Sequence, residues 1–468
     1  MKAFGENYVS SATHDNNDTL DAPKCHPSTR VTFLGRLSNW VKDAESSASV
    51  TWLHGPAGAG KSTIARSLAE ILYNEGLLGG SFFFFRTDPR RNSVNPFVAT
   101  LAYQISRFIP DTLPYIATTV EGDPTICSTS LDTQFKKLIA DPICTSESFL
   151  RKLLIIDGLD ECINRTAILD VVFNNLPRLC GHLKFLVVSR PEYDIQRFFE
   201  SATGQLVDKI ELLGDLQAYD DVRAYLRDSF DRIKRTHPLR AHFSSDWPSD
   251  DAIERLVEKS SGHFIYASTV MKYIENDFDR PQKRLEVILN LRTSSQNPYG
   301  ALDALYLNIL TSSRVDHGLV VNILSIVIQA DRFPEQYSYE WVRVMKSTPM
   351  LEAILGLEAG ECELALLDLR SLVGGSDAVE FWHKSFSDFL LDPLRSQQFH
   401  VSSACNLIAR GCLRLLVLNH VHYNFITNCS FLIGCYTTSI PLRAGKNVTT
   451  SSASAVQMQL PMSICKSL

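Results

Sequence analysis

The stretch Gly55-Pro56-Ala57-Gly58-Ala59-Gly60-Lys61-Ser62 has the residue types and spacing of a loop that wraps a polyphosphate. Such a loop must turn its backbone N–H groups inward, and Gly58 and Gly60 supply the freedom to do so and to approach the oxygens closely. Lys61 brings a point charge to the β- and γ-phosphates. Ser62 offers a hydroxyl to Mg²⁺, and Thr63 follows it in the first turn of the helix whose positive end faces the anion. A triphosphate site also needs a carboxylate on the metal side, typically from a neighbouring strand end. The run Leu153-Leu-Ile-Ile-Asp157-Gly158-Leu159-Asp160-Glu161 supplies it: Asp157 for the metal, with Asp160 and Glu161 placed to polarise an attacking water and Asp160 the preferred base of the two. Arg190 follows the apolar run Phe185–Val188 and precedes Pro191. It therefore stands between a strand end and a helix start, where it can feel a γ-phosphate.

These residues need a scaffold, and the chain around them reads as one. Val50–His54, Gly80–Phe85, Lys152–Ile156, Leu183–Val188 and the weaker Gln205–Leu212 are short apolar runs, and helical segments such as Ser62–Tyr73, Asn95–Ile109 and Ala167–Leu179 separate them. That alternation predicts an α/β fold, a parallel sheet with helices on both faces. Asp111–Ser130 reads as a loop, and Ser28 or Thr29 as the cap of a helix carrying Phe33, Leu34, Leu37, Trp40 and Val41. After Asp215 the strand signal fades. Helical periods dominate to Ala330, and a mixed stretch with a short strand at Val379–Trp382 follows.

Composition bounds the rest. The 468 residues are 45% hydrophobic and 21% charged, with a net charge of −6, which fits ordinary globular protein and excludes wholesale disorder. A mildly acidic surface argues against a nucleic-acid backbone as main partner. Eleven scattered cysteines without a C-x-x-C pair read as free thiols in a reducing compartment. No secretory signal and no uninterrupted span of about 18 apolar residues is present, so a cytoplasmic protein without membrane contact is expected.

Together WLHGPAGAGKS, LLIIDGLDEC and LKFLVVSRP resemble a NACHT domain, the nucleotide-switch module of the STAND class of P-loop NTPases. HPSTRVTFLGRLSNWV upstream, and SGHFIYASTVMKYI and FWHKSFSDFLLDP downstream, resemble the large set from mushroom-forming fungi, akin to nephrocystin-like and NLR-like switches. The likeness runs over Cys25–Leu394. It implies a nucleotide domain followed by a helical and a winged-helix-like domain, closed with ADP and open with ATP. The expected boundaries are a flexible leader over 1–27, the nucleotide domain over 28–214, the helical domain over 215–312 and the winged-helix-like domain over 313–395. A helical extension over 396–428 and a low-order tail over 429–468 complete the chain, the tail reading as a truncated or naturally short form.

The resemblance places His383 at the histidine that touches the β-phosphate of ADP, and Thr29 and Arg30 near the base. A proline that packs on adenine in related switches is replaced by Gly262-His-Phe-Ile-Tyr. The expected ligands are Mg²⁺ with ATP or ADP. GTP is the lesser choice because no N-K-x-D guanine-reading motif occurs. The function implied is a slowly hydrolysing signalling switch, of the fungal innate-immunity or incompatibility type, that self-associates or joins related NACHT proteins. The alternative is a catalytically idle, nucleotide-stabilised scaffold or decoy.

Overall fold

A computed structural model describes residues 2–15, 24–27, 29–43, 45–86, 88–146, 151–179, 181–201, 206–212, 216–275, 279–291, 299–332, 339–375 and 378–417. Five parallel strands form one sheet: β1 (Val50–His54), β2 (Leu78–Phe83), β3 (Lys152–Asp157), β4 (Leu183–Ser189) and β5 (Val207–Glu211), in the spatial order β2-β3-β4-β1-β5. Val50 of β1 pairs with Phe185 of β4 on one side and Val207 of β5 on the other. Strands buried on both faces carry near-continuous apolar sequence, which is why VTWLH and KLLIID are legible as strands.

Alternate side chains feed two separate cores. Trp52, Phe82, Leu154 and Phe185 pack on one face with Phe97 and Phe199. Leu53, Phe83, Ile155 and Leu186 pack on the other with Leu37, Ile64 and Leu68. The second group comes from helices α1 (Val31–Lys42) and α2 (Lys61–Asn74), and Phe97 belongs to α3 (Phe97–Phe108). The α/β expectation therefore holds, with helices on both faces of a parallel sheet.

Three local expectations are corrected. The leader is folded over residues 2–15, where two short 3-10 turns, Lys2–Asn7 and Ser10–Ala12, bury Phe4, Val9 and Ala12 in the α3-side core. Val9 N donates to Thr100 Oγ1 (3.1 Å), and Arg91 reaches back to the Ser11 carbonyl (2.9 Å). Apolar contact rather than periodicity orders this segment, so it leaves no helical or strand pattern to read. The 111–130 loop contains the helix α4 (Leu113–Gly122), which a proline in its first turn initiates. Finally, α1 starts from Arg30 in the left-handed region (φ 59°), and the Thr29 hydroxyl donates to the His26 carbonyl instead of capping. Ser28 lies outside the described residues.

Beyond the sheet, helices Leu216–Thr236, Asp250–Ser260, Phe264–Ile274, Pro281–Asn290, Gly300–Thr311 and His317–Ala330 follow one another. A two-stranded antiparallel ribbon, β6 (Val373–Gly374) and β7 (Glu380–Phe381), leads into the helix Lys384–Leu391. One continuous core joins all of these and the last described helix, Cys405–Val417. The stretch expected to be a low-order tail lies outside the described residues.

Candidate functional site

The loop between β1 and α2 holds Gly58 at φ 77° and Gly60 at φ 86°, both in the left-handed region that suits glycine. Lys61 opens α2 and folds over the loop, its Nζ donating to the carbonyls of Gly55 and Pro56 at 2.8 Å each. Burial lowers its pKa to about 8, against the pull of Asp160. Ser62 hydrogen-bonds to Asp157, which ends β3. Thr63 is half-buried one residue further along α2. Asp157 is 3% exposed, and its Oδ1 has no hydrogen-bond partner. Burial raises its pKa to about 7, with Arg66, one turn beyond Ser62, pulling the other way. A serine hydroxyl beside a carboxylate with an unsatisfied buried oxygen is a hard, oxygen-only donor set, and it fits Mg²⁺.

Gly158 follows at φ 70°, and a Cβ there would meet the Phe84 carbonyl oxygen at 2.9 Å, so the glycine lets β3 turn off beside the end of β2. The turn Leu159–Glu161 then presents both acids. Asp160 is 4% exposed; its Oδ1 accepts from the Arg190 backbone N–H (3.0 Å), and its Oδ2 lies 3.5 Å from Arg190 Nε. Glu161 accepts from the Arg86 backbone N–H (2.9 Å) and from Lys384 Nζ (3.1 Å). The Arg190 guanidinium donates twice to Asp388 Oδ2, at 3.1 Å each.

His383 comes from far along the chain and reaches the loop: a Cβ on Gly58 would lie 3.9 Å from its Cε1. The ring caps its own helix, Nδ1 accepting from the Ser385 backbone N–H (3.0 Å). That bond assigns the proton to Nε2 and leaves an N–H to offer. Burial lowers the ring's pKa to about 4, with Arg190 and Lys61 adding to the effect, so the imidazole is neutral. Arg30 also reaches the loop, donating to the Ala59 carbonyl (3.0 Å) while Asp221 accepts from its backbone N–H (3.1 Å). Thr29 is buried beside it.

Asp157, Asp160, Glu161, Arg190, His383 and Arg30 thus gather around the Gly55–Thr63 loop, and Thr29, next to Arg30 in the chain, bonds instead to the His26 carbonyl. Sequence reasoning missed Lys384 and Asp388, which follow His383 in the same motif, and Arg86, which follows the phenylalanine run. It also missed Ile265, whose Cγ2 stands 2.2 Å from where a Gly58 Cβ would be, and Tyr299, whose hydroxyl bonds to the Ala57 backbone. Lys384, Asp388 and Ile265 lie inside segments quoted above, whereas only their place in the fold marks Arg86 and Tyr299.

Residues 32–190 match the family model described as Nephrocystin 3, N-terminal. No curated protein matches the chain. Among solved structures, the Orc1 protein of Aeropyrum pernix in complex with DNA is 14% identical, with a TM-score of 0.34 over 81% of this chain and 93% of that one. PCH-2 of C. elegans is 13% identical, with a TM-score of 0.33 over 55% of this chain; the match spans 65% of PCH-2. Domain III of the Thermotoga maritima replication initiation protein DnaA is 14% identical, with a TM-score of 0.32, covering 59% and 98%. The fold assignment rests on the sheet and the loop: the chain carries an α/β P-loop NTPase fold.

Proposed function

We propose that the chain is a nucleotide-dependent switch that binds ATP with Mg²⁺ and hydrolyses it slowly to ADP, in signalling of the innate-immunity or incompatibility type. One observation carries the reading. The phosphate loop, the Ser62–Asp157 pair and a histidine from the far end of the fold meet at one place, so a ligand in the loop is sensed by elements distant in sequence.

Ser62 and Asp157 would hold the magnesium ion, which neutralises phosphate charge when bound. The loop amides and Lys61 bind the phosphates, and the His383 Nε2–H donates to a phosphate oxygen. Glu161 takes the proton of the attacking water as the β–γ bridging bond breaks and ADP leaves. We give Glu161 this role ahead of Asp160, because Asp160 is buried and braces Arg190 by two contacts. Arg190 answers to the γ-phosphate. A triphosphate shifts the balance between closed and open forms only through contacts that differ between them, and opening would precede association with a second copy or a related NACHT protein. Adenine is preferred for want of a guanine-reading motif. Among the described residues no helix is long and apolar enough to cross a membrane.

The idle-scaffold reading draws on the fact that both acids already hold cationic or N–H partners. Fluorescent-ATP binding with single-turnover hydrolysis separates the two. The switch requires Lys61→Ala to lose binding and Glu161→Gln to bind but turn over slowly. Tight binding by Lys61→Ala would remove the site assignment.

A further inference from the structure

The helix Lys384–Leu391 is capped by His383, and its side chains meet residues just beyond the carboxyl ends of β3 and β4. Its first residue, Lys384, places Nζ 3.1 Å from Glu161 Oε1 and 4.0 Å from Asp160 Oδ2. One turn on, Asp388 takes both terminal nitrogens of Arg190. Residues four apart share a helix face, so a single face presents a cation to the acid and an anion to the arginine. The four side chains are between 17% and 31% exposed, which leaves the pairs less screened than surface ones.

The segment is also anchored on both flanks. The Lys272 ammonium sits 3.5 Å from the Trp382 ring centroid, and Ser385 Oγ lies 2.8 Å from the hydroxyl of the fully buried Tyr306. The two groups that cleavage needs free are a carboxylate to take the water's proton and a guanidinium to meet the terminal phosphate. Each is engaged by one residue of the same helix.

We propose that Lys384 and Asp388 are positioning residues that gate the hydrolytic step: while their helix rests on the strand ends, bound triphosphate is held uncleaved, and cleavage waits on that helix lifting. The proposal rests on the nucleotide-switch reading above. It concerns Glu161 and Arg190 as groups withheld by two side chains that lie outside the phosphate loop.

The test uses the full chain with Mg²⁺ and three measurements: equilibrium binding of fluorescent ATP, single-turnover hydrolysis of labelled ATP, and deuterium uptake by residues 384–391. Lys384→Ala and Asp388→Asn are expected to keep binding, to cleave about five- to tenfold faster, and to exchange faster over the helix. Lys384→Arg, which keeps the charge, is expected to behave as wild type. Should Lys384→Ala melt too low to assay, Asp388→Asn reads the other half of the clasp independently. Wild-type cleavage rates in both variants with binding intact would overturn the gate and leave the switch standing. So would faster exchange without faster cleavage, which reduces the pairs to a structural tie. Absence of ATP binding by the wild-type chain would instead remove the switch reading and the gate with it.

Discussion

Gly58→Ala probes how closely the downstream helices sit on the phosphate loop. At φ 77° an alanine is held in the left-handed region, at a cost of roughly 1–2 kcal/mol. Its Cβ would also stand 2.2 Å from Ile265 Cγ2 and 2.9 Å from Ile265 Cβ, and both atoms belong to a residue only 8% exposed. Overpacking of that kind adds roughly 1–3 kcal/mol. The two penalties can be partly separated, because truncating Ile265 to alanine removes the Cγ2 contact and leaves the 2.9 Å approach to its Cβ together with the backbone strain. Ile265→Ala alone is destabilising by about 2–4 kcal/mol through lost burial. In its background Gly58→Ala should cost the strain plus the residual Cβ contact, so the double variant should be about 1–2 kcal/mol more stable than the two single effects predict. Urea unfolding of the four proteins, followed by circular dichroism, gives the cycle. Single effects that add within about 0.5 kcal/mol would refute the contact between the Phe264–Ile274 helix and the loop.

Other predictions follow from the same geometry. Asp157, at about 7, lies above an ordinary carboxylate, so folding takes up a proton and the free chain loses stability as pH rises from about 4 to 7. Lys61, at about 8, lies below an ordinary lysine, so its contribution to stability rises between about pH 8 and 10. Binding of Mg²⁺ and nucleotide wants Asp157 ionised and Lys61 charged. Affinity should therefore peak between pH 7 and 8, with proton release below that window and proton uptake above it, as read by calorimetry in buffers of different ionisation enthalpy. Asp157→Asn should abolish the release; a flat profile in the wild type would contradict both assignments. Phe4→Ala should cost about 3 kcal/mol in urea unfolding, because the ring is buried in the sheet's core; no effect would restore a loose leader. Arg30→Ala takes a buried cation from Asp221 and a donor from Ala59, so it should cost about 3 kcal/mol and weaken ATP binding, with Arg30→Lys intermediate.

The parts of this molecule legible in sequence are those whose signal is local. A strand buried on both faces must be apolar throughout, so β1, β3 and β4 declared themselves, and with them the residues at their carboxyl ends. The loop was legible because wrapping an anion fixes the residue type at four of eight consecutive positions, Gly55, Gly60, Lys61 and Ser62. Phe4 and Val9 left no such trace: their order comes from Thr100 and the α3-side core, which lie far along the chain. The helix α4 was hidden by threonines and a proline that read as a loop until the proline is seen in its first turn. The choice between Asp160 and Glu161 as base turns on their partners Arg190 and Lys384, which the residues around the acids cannot disclose.

Strand order also has a consequence for how the protein is made. β1 emerges early from the ribosome, yet its hydrogen-bonding neighbours on both sides, β4 and β5, are translated more than a hundred residues afterwards. Until they arrive, the peptide bearing Gly55–Ser62 has no rigid edge to spring from, and nucleotide cannot act as a template for the nascent chain. Such non-local pairing slows folding and leaves apolar strands uncovered during synthesis. Nascent-chain lengths short of β5 should accordingly depend most on chaperones.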